Sequence, residues 1–140
     1  HIPSAVIGSS GLTPRAWHWS YLRHGAPQVH GRFERMNERR MTEEDWAAWV
    51  AMRAVAEALV RFKDNENFSF HDSFVSENFK LDGSKGPVLN FRKWNRQLRQ
   101  PIMLSTDNWV TSIAPLESFV HRENNLDTIG IDSKTSKCSK

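Results

Sequence analysis

Residues 42–62, Thr42 to Phe62, constrain this chain more than any other stretch. They read TEEDWAAWVAMRAVAEALVRF and predict one long helix. Thr42 supplies an N-cap, and Asp45 stands three residues on, at capping-box spacing. Glu43, Glu44 and Asp45 load the first turn with the negative charge that a helix dipole favours there. Ala48, Met52, Val55, Leu59 and Phe62 follow at steps of four, three, four and three, which places them on one face. Trp46, Trp49, Ala56 and Val60 widen the apolar surface well beyond a stripe. A helix so apolar is expected to be covered on most of its circumference. The natural cover is a sheet within a substantial α/β domain. The rest of the 140 residues is thin for that purpose, so the chain reads as part of a larger fold.

The bulk properties bound the partners. The chain is 39% hydrophobic and 25% charged, which is a globular composition. No apolar run approaches the roughly 18 residues that span a membrane, so no membrane insertion is expected. A net charge of +3 suits an acidic partner but not a dedicated nucleic-acid surface. Cys138 stands alone, which excludes an internal disulfide and a multi-cysteine zinc site; pairing with another chain stays open. The chain begins at His1, so a processed or fragmentary N-terminus is expected, with any targeting segment gone.

Along the chain, residues 5–8 predict a short buried strand and Ser9 to Gly11 a turn, with Pro14 barring strand pairing. Gln28 to Arg40 predict a charged helix that Pro27 helps to start. His71 to Phe79 predict a shorter helix, stopped by Asp82, Gly83 and Gly86. Pro87 to Phe91, Pro101 to Ser105 and Trp109 to Ile113 predict strands, the last two joined by a turn at Asp107 and Asn108. A mobile tail is expected from about Ser133.

Catalytic and metal signatures are missing. There is no GxSxG elbow, P-loop, GxGxxG or HExxH motif, and His18, His24 and His30 recur at a spacing that shares no helical face. No metal and no cofactor is expected, and no enzyme activity. Arg92, Lys93, Arg96 and Arg99 with Trp94 read either as an anion contact or, with more weight, as a solvated hairpin. Trp17, His18, Trp19 and Tyr21 are the ligand-binding candidates. Two tryptophans one residue apart suit, with more weight, a strand with a buried face, and also suit a cleft wall that offers flat surfaces and an indole N–H.

The order of these motifs resembles the C-terminal part of type I periplasmic binding proteins. The resemblance runs through Trp49 to Val55 and Gly86-Pro87-Val88-Leu89-Asn90-Phe91. Within that family, Gly11 to Pro14, Ala16 to Trp19, Arg23 to Gln28, Arg32-Phe33, Met41-Thr42, Asp45 to Trp49, Phe91-Arg92, Trp94, Gln97 to Ile102 and Leu126 to Gly130 look like one subgroup. That subgroup is the substrate-binding-like proteins of ABC transporters found with alcohol dehydrogenases dependent on pyrroloquinoline quinone (PQQ). The resemblance covers about residues 5–132. It implies a two-lobed α/β fold, its helices on a mostly parallel sheet with a closing hairpin. Residues 1–40 would end the second lobe and return toward the hinge, 41–132 would form the C-terminal part of the lobe pair, and 133–140 the tail. It implies a periplasmic protein that traps a small ligand between lobes in methanol-type oxidation. The missing N-terminal portion of the fold, an ABC permease or a periplasmic dehydrogenase would be its partners. The alternative is an assembly or interaction partner of the dehydrogenase without transport.

Overall fold

A computed structural model describes residues 11–118, 121–128, 133, 134 and 136. The strand expected over 5–8, the serines of the following turn, Cys138 and most of the tail lie outside the described residues. The element order is β1 (Thr13–Arg15), α1 (Ala26–Asn37), α2 (Glu43–Phe62), α3 (Phe70–Phe74), β2 (Asn90–Phe91), β3 (Leu98–Arg99), β4 (Ile102–Ser105), β5 (Val110–Ala114) and a 3-10 turn over Asn125–Asp127. Pro27 stands in the first turn of α1, where its missing N–H costs nothing. The capping box of α2 is complete. The Thr42 hydroxyl accepts from the Asp45 N–H, and the Asp45 carboxylate accepts from the Thr42 N–H at 2.9 Å. Arg39 also hydrogen-bonds Asp45, which holds that carboxyl far below the usual range.

The fold is mixed α/β, and its sheets are antiparallel. One sheet has the order β1-β4-β5 and the other pairs β2 with β3; Leu81 and Leu89 form an isolated antiparallel bridge. The expected mostly parallel sheet is therefore corrected. Parallel neighbours need a crossover segment between strands, and here α1, α2 and α3 follow one another with no strand between them. β4 and β5 instead turn back tightly, with the Thr106 N–H donating to the Trp109 carbonyl at 2.9 Å. The closing hairpin itself is present. Pro14, expected to bar pairing, sits in β1 opposite Leu104. β1 is an edge strand, where a residue without an N–H is tolerated.

The core forms where α2 meets the chain around Trp17 and the 79–89 segment. Trp46 is 1% exposed and stacks on Trp17, with ring centroids 6.1 Å apart. Its indole N–H donates to the Gly83 carbonyl at 3.1 Å. Val50, Ala54 and Ala58 continue the buried stripe of α2 at steps of four. Thus the face named from sequence, through Met52, Val55 and Leu59, is the outer one. Arg53, Glu57 and Arg61 recur at steps of four beside the buried stripe, so the charged side that periodicity reads as outward borders the core here. Trp46 decides the rotation because its N–H has a partner on one side only. Phe74, Phe79 and Phe91 close the far end with ring centroids 5.4–5.8 Å apart.

Gly83 is the tightest point of this core. A Cβ there would overlap Leu89 Cδ1 and lie 3.2 Å from Trp46 Cζ2. Gly83→Ala is expected to cost about 1–3 kcal/mol by overpacking, read as a lowered midpoint in urea unfolding.

Candidate functional site

The loop from Asp82 to Pro87 carries a lysine into the interior. The Ser84 N–H donates to the Asp82 carboxylate at 2.8 Å, and Ser84 takes a positive φ of 56°. Gly86 follows at φ 103°, and a Cβ there would come within 3.0 Å of the His24 ring. This sharp path aims the Lys85 side chain inward. Lys85 is 1% exposed. Its ammonium donates to the Ala16 carbonyl at 2.6 Å, the Gln100 side-chain oxygen at 2.6 Å and the Pro101 carbonyl at 2.9 Å. It also lies 3.9 Å from the centroid of the Trp46 ring. Burial pushes the ammonium down to about 7, and the Glu43 carboxylate acts in the opposite direction. Three oxygens require three N–H donors, so only the charged form satisfies them all.

Beside this lysine runs an open groove of about 1350 Å³. Its walls come from the turn after Tyr21, from Pro87 and Val88, from β5 and from the segment beyond Pro115. Leu22, Val88, Trp109 and Leu116 all stand in these walls and are 66%, 54%, 60% and 44% exposed. Clustering of large exposed apolar groups in one concavity is the mark of a binding surface. Tyr21 lies at the edge of the core, and its buried hydroxyl has no hydrogen-bond partner among the described residues. Burial raises the Tyr21 pKa, with Arg23 opposing, so the hydroxyl stays protonated and can donate.

Of the four candidates from sequence, only Tyr21 lines the groove. Trp17 is core, stacked on Trp46. His18 is buried and ties the first turn to the hairpin. Its Nδ1 accepts from the Ser20 N–H at 3.3 Å, so the ring proton sits on Nε2, which faces the Asp107 carbonyl at 3.4 Å. The Ser20 hydroxyl, 2.8 Å from Nδ1, accepts in turn from the Val110 N–H. Burial lowers the His18 pKa, the Asp107 carbonyl pulls the other way, and Arg15 and Arg40 add to the lowering. Trp19 lies under the Arg40 guanidinium, 3.6 Å from ring centroid to Cζ. Sequence reading missed Trp109 as a wall residue and Lys85 as a floor residue. A lysine between Ser84 and Gly86 looks like any solvated turn, and only the three-dimensional path buries it.

The basic cluster divides. Arg92 and Arg99 both grip Asp127, at 2.6 Å and 2.8 Å. Burial works to raise the Asp127 pKa, but hydrogen bonds from Arg99 and Arg92 outweigh it and pull the carboxyl below its usual range. The anion these two arginines contact is therefore the chain's own. Lys93 pairs with exposed Glu77. Among the described residues no group of three or more His, Cys, Asp or Glu could hold a metal ion, and no helix is long and apolar enough to cross a membrane.

No family model, no curated protein and no solved structure matches this chain.

The depressed pKa of Lys85 gives a sign for stability against pH. Between about 7 and the ordinary value of 10.5 the unfolded chain holds a proton that the folded chain releases more easily. Stability should therefore rise with pH through that window, by at most about 1.4 kcal/mol per unit. Lys85→Met is expected to remove this slope. The cost of the substitution should therefore grow as pH rises, and the orphaned oxygens should contribute about 1–3 kcal/mol of it. Urea unfolding of both proteins at pH 7, 8.5 and 10 reads the difference.

Proposed function

We propose that this chain is a non-catalytic, periplasmic, small-molecule-binding protein, of the solute-binding type that serves PQQ-dependent alcohol oxidation. The observation that carries the binding role is the groove, lined by four exposed apolar side chains and, at its edge, by Tyr21, whose buried hydroxyl has no hydrogen-bond partner among the described residues. Such a surface fits a ligand with a flat or aliphatic body and one hydrogen-bond acceptor. The Lys85 ammonium is already committed to three protein oxygens, and the charged groups at the rim of the groove are Arg23, Glu117 and Glu123. The solute-binding assignment rests on the resemblance given by the motifs from Gly11 to Gly130. In a two-lobed type I periplasmic-binding-protein fold the second lobe would close over this open groove, as a hinge motion. That lobe would come from polypeptide outside these residues.

A second reading keeps the fold and replaces the small ligand with a protein. The openness of the groove and its large exposed side chains favour it. On this reading the chain is an assembly partner of a periplasmic dehydrogenase, and its net charge of +3 helps an acidic partner to dock.

Trp109 is the natural reporter. Titration of tryptophan fluorescence with alcohols, aldehydes, amino acids and PQQ is expected to give a saturable change for an apolar or planar compound. Trp109→Ala should abolish the response. Tyr21→Phe should weaken binding by about 0.5–1.5 kcal/mol, the worth of one hydrogen bond. Silence with every compound in folded protein, together with co-sedimentation with a PQQ-dependent dehydrogenase, would establish the second reading instead.

A further inference from the structure

Helix α2 buries one side and leaves the other bare. At 3.6 residues per turn, Ala48, Ala51, Met52, Val55, Ala56, Leu59 and Val60 share about half of the circumference. No charged residue interrupts that arc. All seven are exposed, with Met52 at 70% and Val60 at 74%. None of them lines the groove. The face therefore belongs to a different contact from the ligand site.

The geometry points to a second copy of this chain, packed against α2 through the same face of its own α2 in antiparallel orientation. Two features of the helix carry this. The first is spacing. Ala48, Met52, Val55 and Leu59 are separated by four, three and four residues, which reads the same from either end. A two-fold axis between Met52 and Val55 then sets Ala48 of one copy opposite Leu59 of the other, and Met52 opposite Val55. Small faces large at both ends of the seam, and a self-complementary patch is what a two-fold interface requires. The second feature is charge. The helix is acidic at its start, with Glu43, Glu44 and Asp45, and basic at its finish, with Arg61 and Lys63. Antiparallel packing brings the acidic start of each copy to the basic finish of the other; parallel packing would oppose like charges. Glu44 and Lys63 make no ion pair within the described chain, so both remain available at the rim. Opposed helix dipoles add in the same direction.

Sedimentation equilibrium of the 140-residue chain should show a monomer–dimer equilibrium. Met52→Lys drives an unpaired charge into the seam and should raise the dimer Kd by at least about a hundredfold. Met52 is exposed on the single chain, so circular dichroism should be unchanged, and the urea midpoint of that variant should match that of the wild-type chain diluted below its dimer Kd. Orientation is read by cross-linking in a Cys138→Ser background. Oxidising a mixture of Ala48→Cys chains with Leu59→Cys chains should give the mixed disulfide, while Ala48→Cys chains alone should not link. A chain that stays monomeric into the millimolar range overturns the proposal, leaving the face to a strand layer from another polypeptide or to a lipid surface. So does a dimer that Met52→Lys leaves intact, or one in which Ala48→Cys links to itself.

Discussion

A lysine nitrogen removed from water must find three oxygens, and Lys85 finds them on two stretches of chain far apart in sequence. Ala16 precedes the helices, and Gln100 and Pro101 lead into β4. The Trp46 ring covers the fourth side. One cation thus ties the beginning of the chain, the long helix, the 82–87 loop and the antiparallel sheet into a single arrangement. Its cost is desolvation, which is why such a group stands only where every proton has an acceptor. The neighbouring stack of Trp17 on Trp46 and the Trp46 N–H to Gly83 fix the helix rotation that this arrangement needs. Two walls of the groove stand next to this cluster in sequence, because Tyr21 follows Trp17 by four residues and Val88 follows Lys85 by three.

Local signals were legible in the sequence wherever the chain's own neighbours decide the structure. Thr42 and Asp45 announced the start of α2, Pro27 the start of α1, and Asp107 with Asn108 the turn between β4 and β5. What stayed hidden depends on distant partners. The rotation of α2 is hidden because its charged residues Arg53, Glu57 and Arg61 border the buried stripe, and its orientation follows from a hydrogen bond to Gly83, thirty-seven residues away. The direction of the sheets was misread because a run of strand-like segments carries no sign of its pairing; three helices in succession, with no intervening strand, were the available clue. Among the candidate ligand residues, the Trp17-His18-Trp19 triplet serves packing and the turn, and Tyr21 alone reaches the concavity. The arginine cluster showed its composition but not its counter-ion, since Asp127 lies 28 residues beyond Arg99.

The molecule separates its surfaces by chemistry. The groove combines aromatic and aliphatic walls with the charged Arg23, Glu117 and Glu123, and on the proposed function it takes a small molecule. The outer face of α2 is broad, convex and without polar atoms on its side chains, which favours another helix. On the two proposals, ligand and second copy would occupy separate surfaces and could be bound together.

The groove walls are built almost wholly from connections: Leu22 before α1, Val88 in the stretch ahead of β2, Trp109 at a hairpin tip and Leu116 past β5. None of these four side chains is buried, so replacing any of them leaves the interior undisturbed. On the proposed function, substitution at these four positions would retune the ligand at almost no expense in folding, while the lysine beneath is held by Ala16, Gln100, Pro101 and the Trp46 ring. The architecture partitions its positions into those free to drift and those obliged to stay.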